Sequence, residues 1–416
     1  MQNYIEKLDT LFQFVFQNKK ADFYRRLYEN SIPSGYVIDS LKAWRALPFL
    51  RKKDLYETPL LERIFTDIAD ADVLRTSSGT SGGGVLITPR NHPWRHTELL
   101  KRFTPTGILN LDRGPYTFET HRHLFQSCPI VMGDPVHMES AVKLAAGLPI
   151  NHVSSLVFSY RRLVPLLKQY GILDQIKVIE TFGERFPPAE YLWLRESFPN
   201  VIFYATYSCT ELNSNELGVS VDAYDLAVGQ LFTTQAKDVF MELIDVKTGE
   251  VIEEADKEGE IVATTLWTEK NMTPLLRYRT GDLGMYKTYN EDPWQRVFTT
   301  LGRKDIDKIT LSWGQLYVVE FDRAIAKFRD FVEPDYEFHF THSARPEDVH
   351  PELHVVARTN FDKNEFISAF SRQVRIAPSK TYADAVAEGL VAPMACVTVL
   401  SFPHDGRKQV RFIERR

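Results

Sequence analysis

Apolar residues at the start of the chain recur with the period of a helix. Five of them fall on one helical face, namely Leu8, Leu11, Phe12, Val15 and Phe16. A turn at Pro48 then leads into a further segment with a helical pattern, which ends near Leu55. The spacing predicts a helical opening over residues 1–70.

The apolar pattern becomes mixed after residue 72. Up to residue 230, amphipathic segments alternate with short apolar runs at 155–158, 177–181 and 201–204. Runs of this length between amphipathic segments are typical of buried strands separated by helices. The pattern therefore predicts α/β layers in this part of the chain.

The remaining sequence favours strands first and then a mixture. Within a β-rich stretch at 228–300, alternating residues on both sides of a Thr248-Gly249 turn predict a hairpin with strands at 239–245 and 259–266. After Gly302, strand patterns at 353–357 and 396–400 mix with helix patterns around 319–330 and 363–374. The fold class expected is α/β, with a large N-terminal domain of several sheets and a small α+β C-terminal domain.

Composition excludes several classes of function. At 416 residues the chain is long for one core, and two or three domains are expected. No apolar run approaches the ~18 residues of a membrane span and the first residues lack a secretory pattern, so we expect a cytoplasmic protein without a membrane partner. A net charge of −5 gives no electrostatic reason to expect nucleic acid. The cysteines predict neither disulfides nor a zinc site, because Cys128, Cys209 and Cys396 are few and far apart.

Nine consecutive small or hydroxylated residues form the first candidate site. They run from Thr76 to Gly84 and begin with Thr76, Ser77, Ser78, Gly79, Thr80, Ser81 and Gly82. Glycine allows backbone amides to converge on an anion, and hydroxyls add donors without bulk. Taken alone, a flexible surface loop is the commoner explanation of such a run. The run also lacks the Gly-Lys-Ser/Thr ending of a Walker loop.

Four further motifs follow the loop in order. They are Gly183-Glu184 after one strand-like run, Thr206-Tyr207-Ser208-Cys209-Thr210-Glu211 after the next, Arg277-Tyr278-Arg279-Thr280-Gly281-Asp282, and Gly302-Arg303-Lys304-Asp305. In this order, they offer backbone at the end of a strand where a flat ring can bind, a carboxylate for Mg²⁺, a hydrogen-bond acceptor for ribose hydroxyls, and a cation at a domain boundary. Each also has an ordinary structural explanation: a βα turn, a helix-capping Glu211, a hairpin Asp282 and a solvated charged turn.

The five motifs together resemble the acyl-adenylate-forming superfamily of acyl-CoA synthetases, luciferases and peptide-synthetase adenylation domains. Within it the chain looks most like the phenylacetate-CoA ligase branch, supported by Leu47-Pro48-Phe49 with Lys53-Asp54-Leu55 ahead of the loop. The resemblance implies an adenylation domain over 1–304 and a mobile C-terminal domain over 305–416. It also implies ATP, Mg²⁺ and a carboxylic acid as ligands, CoA as co-substrate, and a homodimer.

The resemblance also implies a role for individual residues. Residues 76–84 would bind the β,γ-phosphates, and Gly183 and Glu184 would lie beside adenine. Thr206, Tyr207 and Ser208 would line the adenylate, Thr210 would touch the α-phosphate and Glu211 would hold Mg²⁺. Asp282 would bind ribose, Arg303 ribose or phosphate, and Asp305 would be the hinge. Lys408 is the candidate catalytic lysine, with Arg407 as the competing candidate because it directly follows Gly406.

Three departures from the family pattern leave the second half-reaction open. The loop continues Gly82-Gly83-Gly84 without the usual Pro and Lys, so another group must neutralise phosphate. The glutamate motif has Ser208 where the family has Gly, and Ser312 stands where a Gly follows the hinge. An acceptor other than CoA, such as an amine or a carrier-protein thiol, is therefore an alternative. A second alternative is a protein that binds a nucleotide or acyl ligand without turnover.

The acid-binding residues are the least defined part of the sequence. A polar segment at 118–123, with Phe125 and Tyr160 as candidate walls, would favour a polar-substituted aryl acid over a long fatty acid. A solvated loop is the commoner explanation of such a segment.

Overall fold

The computed structural model shows how these segments are arranged. It describes residues 2–17, 22–28, 31–33, 35–76, 86–90, 102–112, 128–212, 217–234, 239–266, 268, 271–311, 314–341, 350–377, 379–402 and 410–415. Among the helices in these ranges, none has the length and apolar character needed to cross a membrane.

The α-helices of the described residues are mostly short. They are α1 (Gln2–Gln17), α2 (Phe23–Tyr28), α3 (Leu41–Arg45), α4 (Lys52–Glu57), α5 (Leu60–Arg63), α6 (Glu139–Ala145), α7 (Tyr160–Gln169), α8 (Pro188–Ser197), α9 (Val318–Lys327), α10 (Lys363–Ser371) and α11 (Tyr382–Ala387). Single 3₁₀ turns occur at Ile68–Asp70, Val157–Ser159, Leu173–Gln175, Thr210–Leu212 and Pro293–Gln295.

Among the described residues the strands are more numerous than the helices. They are β1 (Val73–Thr76), β2 (Ile87–Arg90), β3 (Ile108–Leu111), β4 (Ile130–Gly133), β5 (His152–Ser155), β6 (Val178–Phe182), β7 (Ile202–Tyr207), β8 (Gly218–Val221), β9 (Tyr224–Asp225), β10 (Gly229–Gln230), β11 (Phe232–Thr233), β12 (Val239–Ile244), β13 (Glu258–Thr265), β14 (Tyr278–Thr288), β15 (Val297–Arg303), β16 (Lys308–Leu311), β17 (Gly314–Tyr317), β18 (Val332–Thr341), β19 (Glu352–Ala357), β20 (Arg375–Ala377), β21 (Lys380–Thr381), β22 (Ala395–Val399) and β23 (Phe412–Arg415).

The helical opening is confirmed. Leu8, Leu11 and Val15 on one face of α1 are wholly buried, because this face packs into a cluster that also contains side chains of β12 and β13. The ring of Tyr4 stacks on that of Phe240, with 5.7 Å between centroids. The first helix is therefore anchored on a β-sheet that lies more than two hundred residues later in the chain.

A sheet of eleven strands forms the centre of the molecule. Its order is β12-β13-β14-β15-β11-β8-β7-β6-β5-β3-β4. Strands β3 to β7 run parallel, whereas the pairing from β7 through β8 to β12 is antiparallel. Strands β3, β5 and β6 in the middle of the parallel part are buried on both faces, as expected where helices cover a sheet. The predicted α/β fold class is confirmed.

One predicted strand is displaced by three residues. The strand expected at 155–158 is β5 at 152–155, and Val157–Ser159 is a 3₁₀ turn. Strand β5 buries His152 and Ser154 completely, and the His152 Nε2 lies 2.9 Å from the Glu180 Oε2. Polar residues inside a buried strand break the apolar run on which the sequence prediction depended.

Asp282 is not the hairpin turn residue that its motif also allowed. Asp282 lies within β14, opposite a shift in register between Glu260 and Val262 of β13. Glu260 pairs with Leu283 and Val262 pairs with Arg279. Three residues of β14, 280–282, therefore lie opposite one residue of β13, and β14 forms a bulge there. Gly281 has a φ of +81°, which favours glycine, and the bulge changes the direction of the neighbouring side chain.

A second, smaller sheet lies in the last third of the chain. Strands β22-β19-β18-β23 form it, and α9 and α10 contribute to an apolar cluster on it that includes Phe321, Phe338 and Phe370. The final strand, β23, was missed by the sequence analysis because its Arg-rich stretch reads as exposed. Its Phe412 is nevertheless buried in the cluster. The domain boundary at 304/305 remains a prediction.

Candidate active site

The motif residues gather where parallel strands end. Strands β6 and β7 pair through Phe182 and Thr206, so their following segments leave the same edge of the sheet. Gly183 follows β6 with a φ of +75°, and Glu184 accepts a hydrogen bond from the Phe158 amide at 3.2 Å. The carboxylate of Glu184 therefore fixes a neighbouring loop, and the backbone of residues 183–184 faces the strand ends.

Tyr207, Asp282 and Arg303 form one hydrogen-bonded cluster. The Tyr207 hydroxyl donates to Asp282 Oδ2 at 2.8 Å, and Arg303 Nε lies 3.2 Å from Asp282 Oδ1. Asp282 and Arg303 are direct partners in the pairing of β14 with β15. Because each carboxylate oxygen is held from one side, its other lone pairs can still accept hydrogen bonds from a ligand.

Glu211 lies beside this cluster in a buried position. Thr210 begins the 3₁₀ turn that carries it, directly after Ser208 and Cys209. Glu211 is 6% exposed, and Lys52 Nζ from α4 lies 3.5 Å from its Oε1. A buried carboxylate requires a cationic partner, and here the helical opening of the chain supplies it.

The carboxylates influence the neighbouring titratable groups. Burial, followed by the charge of Asp282, raises the pKa of Tyr207 well above its ordinary value. Burial and then Glu211 and Asp282 likewise hold the pKa of Cys209 well above that of a free thiol. Burial opposes the charge of Arg303, yet Asp282 and Glu211 raise its pKa. Tyr207 and Cys209 are therefore neutral, and the cluster combines carboxylate charge with one fixed guanidinium.

The segment after Arg303 is tightly held by backbone geometry. Gly302 has a φ of +109°, and a Cβ there would lie 2.6 Å from Asp307 Cβ. Asp307 Oδ2 accepts a hydrogen bond from the Arg303 amide at 2.8 Å. Lys304 Nζ lies 3.2 Å from the buried Glu260, while Asp305 is exposed in the turn. The hinge assigned to Asp305 remains a prediction.

The remaining predicted residues divide into those that the structure describes and those that it does not. Among the described ones, Thr76 is the exposed last residue of β1 and pairs with Ile87. The rest of the Ser/Thr/Gly loop from Ser77 to Gly84, the segment 118–125, Ser312, Arg407 and Lys408 lie outside the described residues. Tyr160 is a core residue rather than a pocket wall. It is wholly buried, and its hydroxyl donates to the Val153 and Glu180 carbonyl oxygens.

The donor set suits a hard cation held partly by substrate. Glu211 is a single carboxylate, and no group of three or more metal-ligating side chains occurs among the residues that the structure describes. Mg²⁺ is commonly bound through one or two carboxylates together with phosphate oxygens and water. Glu211 therefore fits Mg²⁺ brought by a nucleotide, and does not fit a metal bound by the protein alone.

Two residues near the site were missed from sequence. Lys52 lies about 160 positions before Glu211, and only the fold brings them together. Arg185, directly after Gly183-Glu184, forms an ion pair of 2.8 Å with the buried Asp322 of α9. Neither residue has a sequence signal of its own, because their partners are distant in the chain.

Comparisons with known proteins support the fold. No family model matches the chain. A segment of 119 residues is 30% identical to phenylacetate-coenzyme A ligase of Pseudomonas putida, covering 29% of this chain and 26% of that protein. The match thus spans about a quarter of the curated relative.

Two solved structures match almost the whole chain. One is 2-hydroxyisobutyryl-CoA ligase in the postadenylation state in complex with R3-HIB-AMP, with a TM-score of 0.76, 16% identity, and coverage of 99% of this chain and 89% of that chain. The other is an acyl acid amido synthetase in complex with 2,4-DB, with a TM-score of 0.69, 13% identity, and coverage of 99% and 91%. The chain therefore has the fold of these two enzymes, as the resemblance of its motifs implied.

Proposed function

We propose that this protein activates a carboxylic acid with ATP and transfers the acyl group to the thiol of CoA. The observation that carries the proposal is the cluster of Tyr207, Asp282 and Arg303 beside the buried Glu211. Three motifs, which span almost a hundred residues of the chain from Tyr207 to Arg303, meet at one sheet edge, where α/β folds bind nucleotides. The resemblance to phenylacetate-CoA ligase supports the same assignment.

In the first half-reaction a carboxylate oxygen of the acid bonds to the α-phosphorus of ATP. The bond from that phosphorus to the bridging oxygen breaks, and pyrophosphate leaves with its electron pair. Asp282, oriented by Tyr207 and Arg303, accepts hydrogen bonds from the ribose. Thr210 lies one residue before Glu211 and donates to the α-phosphate. Glu211 would hold Mg²⁺, which when bound would supply positive charge to offset the phosphates.

Two anions meet in this step, so cations decide its rate. Lys52 neutralises Glu211 in the free protein, and Arg303 adds a guanidinium to the same edge. Lys408, with Arg407 as the alternative, is proposed to contact the reacting carboxylate. Positioning and charge stabilisation then account for most of the catalysis. Asp305 is proposed as the hinge about which residues 305–416 turn before the thiol step. We also propose that the protein forms a homodimer, as expected for the phenylacetate-CoA ligase branch.

For the substrate we propose an aryl acid, with a polar-substituted ring. The phenylacetate-CoA ligase match supports this class. An amine is the second candidate acceptor, favoured by one observation: an acyl acid amido synthetase matches 99% of this chain with a TM-score of 0.69. Both acceptors attack the same acyl carbon and release AMP.

The test is ATP–pyrophosphate exchange across a panel of aryl, hydroxy and fatty acids, with the wild type, Glu211→Gln and Lys408→Ala. We expect exchange with aryl acids, and a loss of about a hundredfold or more in both variants, because each removes charge stabilisation from the transition state. Glu250→Gln is the matched control, since Glu250 is an exposed carboxylate in a turn. Full exchange in Lys408→Ala would contradict the role of that lysine.

The second half-reaction needs a separate measurement. Enzyme, ATP and the best acid are mixed with CoA, an amine panel or hydroxylamine, and the acyl product is identified by mass spectrometry. A thioester supports the CoA proposal, whereas an amide with no thioester replaces it with the amine. Tight binding of a stable acyl-adenylate analogue without exchange would mean a ligand-binding protein that does not turn over.

A further inference from the structure

A polar cleft lies next to Glu211, and the sequence motifs do not mark it. Its cavity has a volume of about 10 Å³, enough for one oxygen-sized atom, and Glu211 forms part of its wall. Arg63, Thr88 and Thr273 also line it, and none of the three side chains is more than 5% exposed. The rest of the wall is mainly apolar, with Phe23, Leu55 and Leu86.

The guanidinium of Arg63 is buried without an opposite charge. Its Nη2 donates to the Ile87 carbonyl oxygen at 2.5 Å, and its Nε has no hydrogen-bond partner among the described residues. Burial lowers the pKa of Arg63, and no carboxylate raises it again. Burying an unpaired cation costs several kcal/mol, so such a group is retained where a ligand supplies the anion.

Two hydroxyls in the same cleft are also unsatisfied. The Oγ1 atoms of Thr88 and Thr273 are buried and have no hydrogen-bond partner within the described part of the chain. Buried hydroxyls are normally hydrogen-bonded. One guanidinium and two hydroxyls with free donors, placed around a space with apolar walls, form an arrangement that attracts an oxyanion strongly.

We propose that Arg63, Thr88 and Thr273 bind one terminal oxygen of the pyrophosphoryl group of ATP, and the same oxygen of the pyrophosphate that leaves. This inference rests on the proposed function and names the residues that hold its leaving group. Thr88 lies on β2, which pairs with β1, and Thr76 at the end of β1 begins the Ser/Thr/Gly loop. That loop lacks the terminal lysine of the family pattern, so a cation must come from another segment.

The charge of the ligand favours pyrophosphate over the acid substrate. A single carboxylate would be neutralised by one of the nearby cations, whereas a pyrophosphoryl group carries several negative charges. Lys52 and Arg63 approach the region of Glu211 from α4 and α5, which precede the loop in sequence. A planar guanidinium also matches phosphate oxygens in geometry. The helical opening therefore replaces the missing loop lysine.

The test compares the wild type with Arg63→Met, Arg63→Lys and the double variant Thr88→Val/Thr273→Val. KM for pyrophosphate is measured in ATP–pyrophosphate exchange, KM for the acid by hydroxamate formation, and pyrophosphate affinity directly by calorimetry. We expect Arg63→Met to raise KM and Kd for pyrophosphate about tenfold or more. Binding of an acyl-sulfamoyl adenosine, which has no pyrophosphoryl group, is expected to stay within twofold.

Arg26→Met is the matched control, because Arg26 is an exposed arginine of the neighbouring α2 paired with Glu62 at 2.9 Å. An Arg63→Met protein that raises KM for the acid and leaves pyrophosphate affinity unchanged overturns the proposal and gives the cleft to the acid. Unchanged pyrophosphate affinity in the double variant also overturns it, and that variant serves if Arg63→Met does not fold. The proposal is also overturned if the wild-type protein shows no binding of pyrophosphate in calorimetry.

Failure of the proposed function has a different signature. If no acid supports exchange, but the wild type binds pyrophosphate and Arg63→Met loses that affinity, the anion site stands and the ligase assignment falls. If exchange occurs and Arg63 and the two threonines do not affect pyrophosphate, the ligase assignment stands and the anion site falls.

Discussion

We expect Glu190 to make the folding of this protein depend on pH. It lies on α8 where the last third of the chain packs, and only 2% of it is exposed. Arg161 Nε contacts its Oε2 at 3.1 Å, but the Arg161 Nη1 is also held by Glu333 at 2.7 Å. Burial, against the opposing charge of Arg161, raises the pKa of Glu190 to about 7, and Asp335 adds to the rise.

The size of the effect follows from this pKa. An unfolded glutamate has an ordinary pKa of 4.5, so between pH 4.5 and about 7 folded Glu190 holds a proton that the unfolded chain has lost. The free energy of unfolding therefore falls as pH rises through this window and is constant above it. Each pKa unit corresponds to about 1.4 kcal/mol. Between pH 5.5 and 8.5 the loss assigned to Glu190 is about 2 kcal/mol.

Urea unfolding of the wild type and of Glu190→Gln at pH 5.5 and 8.5 measures the contribution of Glu190 to the free energy of unfolding. Glutamine has the same shape and does not ionise, so the variant should gain about 2 kcal/mol relative to the wild type as pH rises. Glu196→Gln is the matched control. Glu196 lies on the same helix and pairs with Arg329 at 3.0 Å, but it is largely exposed. The difference in free energy of unfolding between Glu196→Gln and the wild type should change by less than about 0.5 kcal/mol between the two pH values.

A difference between Glu190→Gln and the wild type that is the same at both pH values refutes the reasoning. It would mean that Glu190 stays ionised when folded and that Arg161 fully offsets its burial. A pKa below 4.5 in the folded protein would give the same result, because folded and unfolded Glu190 would both be ionised at pH 5.5 and 8.5.

Two further predictions concern the strands that carry the site. Glu242→Gln should destabilise the protein by about 3 kcal/mol in urea unfolding, because the buried Arg277 loses its counter-charge. In the wild type, Arg277 Nε lies 3.1 Å from Glu242 Oε2. A loss of stability below about 0.5 kcal/mol would show that carbonyl contacts alone hold Arg277. Gly302→Ala should cost about 1–3 kcal/mol, because φ is +109° and the new Cβ meets Asp307 at 2.6 Å. A melting temperature equal to that of the wild type would contradict this strain.

The sequence by itself determined the kinds of element and the order of the motifs. The period of the apolar residues predicted the first helix, the β12–β13 hairpin and the mixed C-terminal part, because burial of one face imposes that period. It displaced β5 by three residues, because the buried His152 and Ser154 interrupt the apolar run, and it did not predict β23, whose Phe412 lies among charged residues. Burial of polar residues depends on partners elsewhere, and a local pattern contains no information about them.

The candidate site divides in the same way. Glu211, Asp282 and Arg303 were identified because their motifs have a recognisable order. Lys52 and Arg63 were not, since single basic residues in a helical segment have no sequence signal. Only the tertiary structure brings α4 and α5 against the glutamate motif, because the first helices pack on strands that follow two hundred residues later. The sequence thus determined the candidate site residues and their order, and the fold decided which cations surround them.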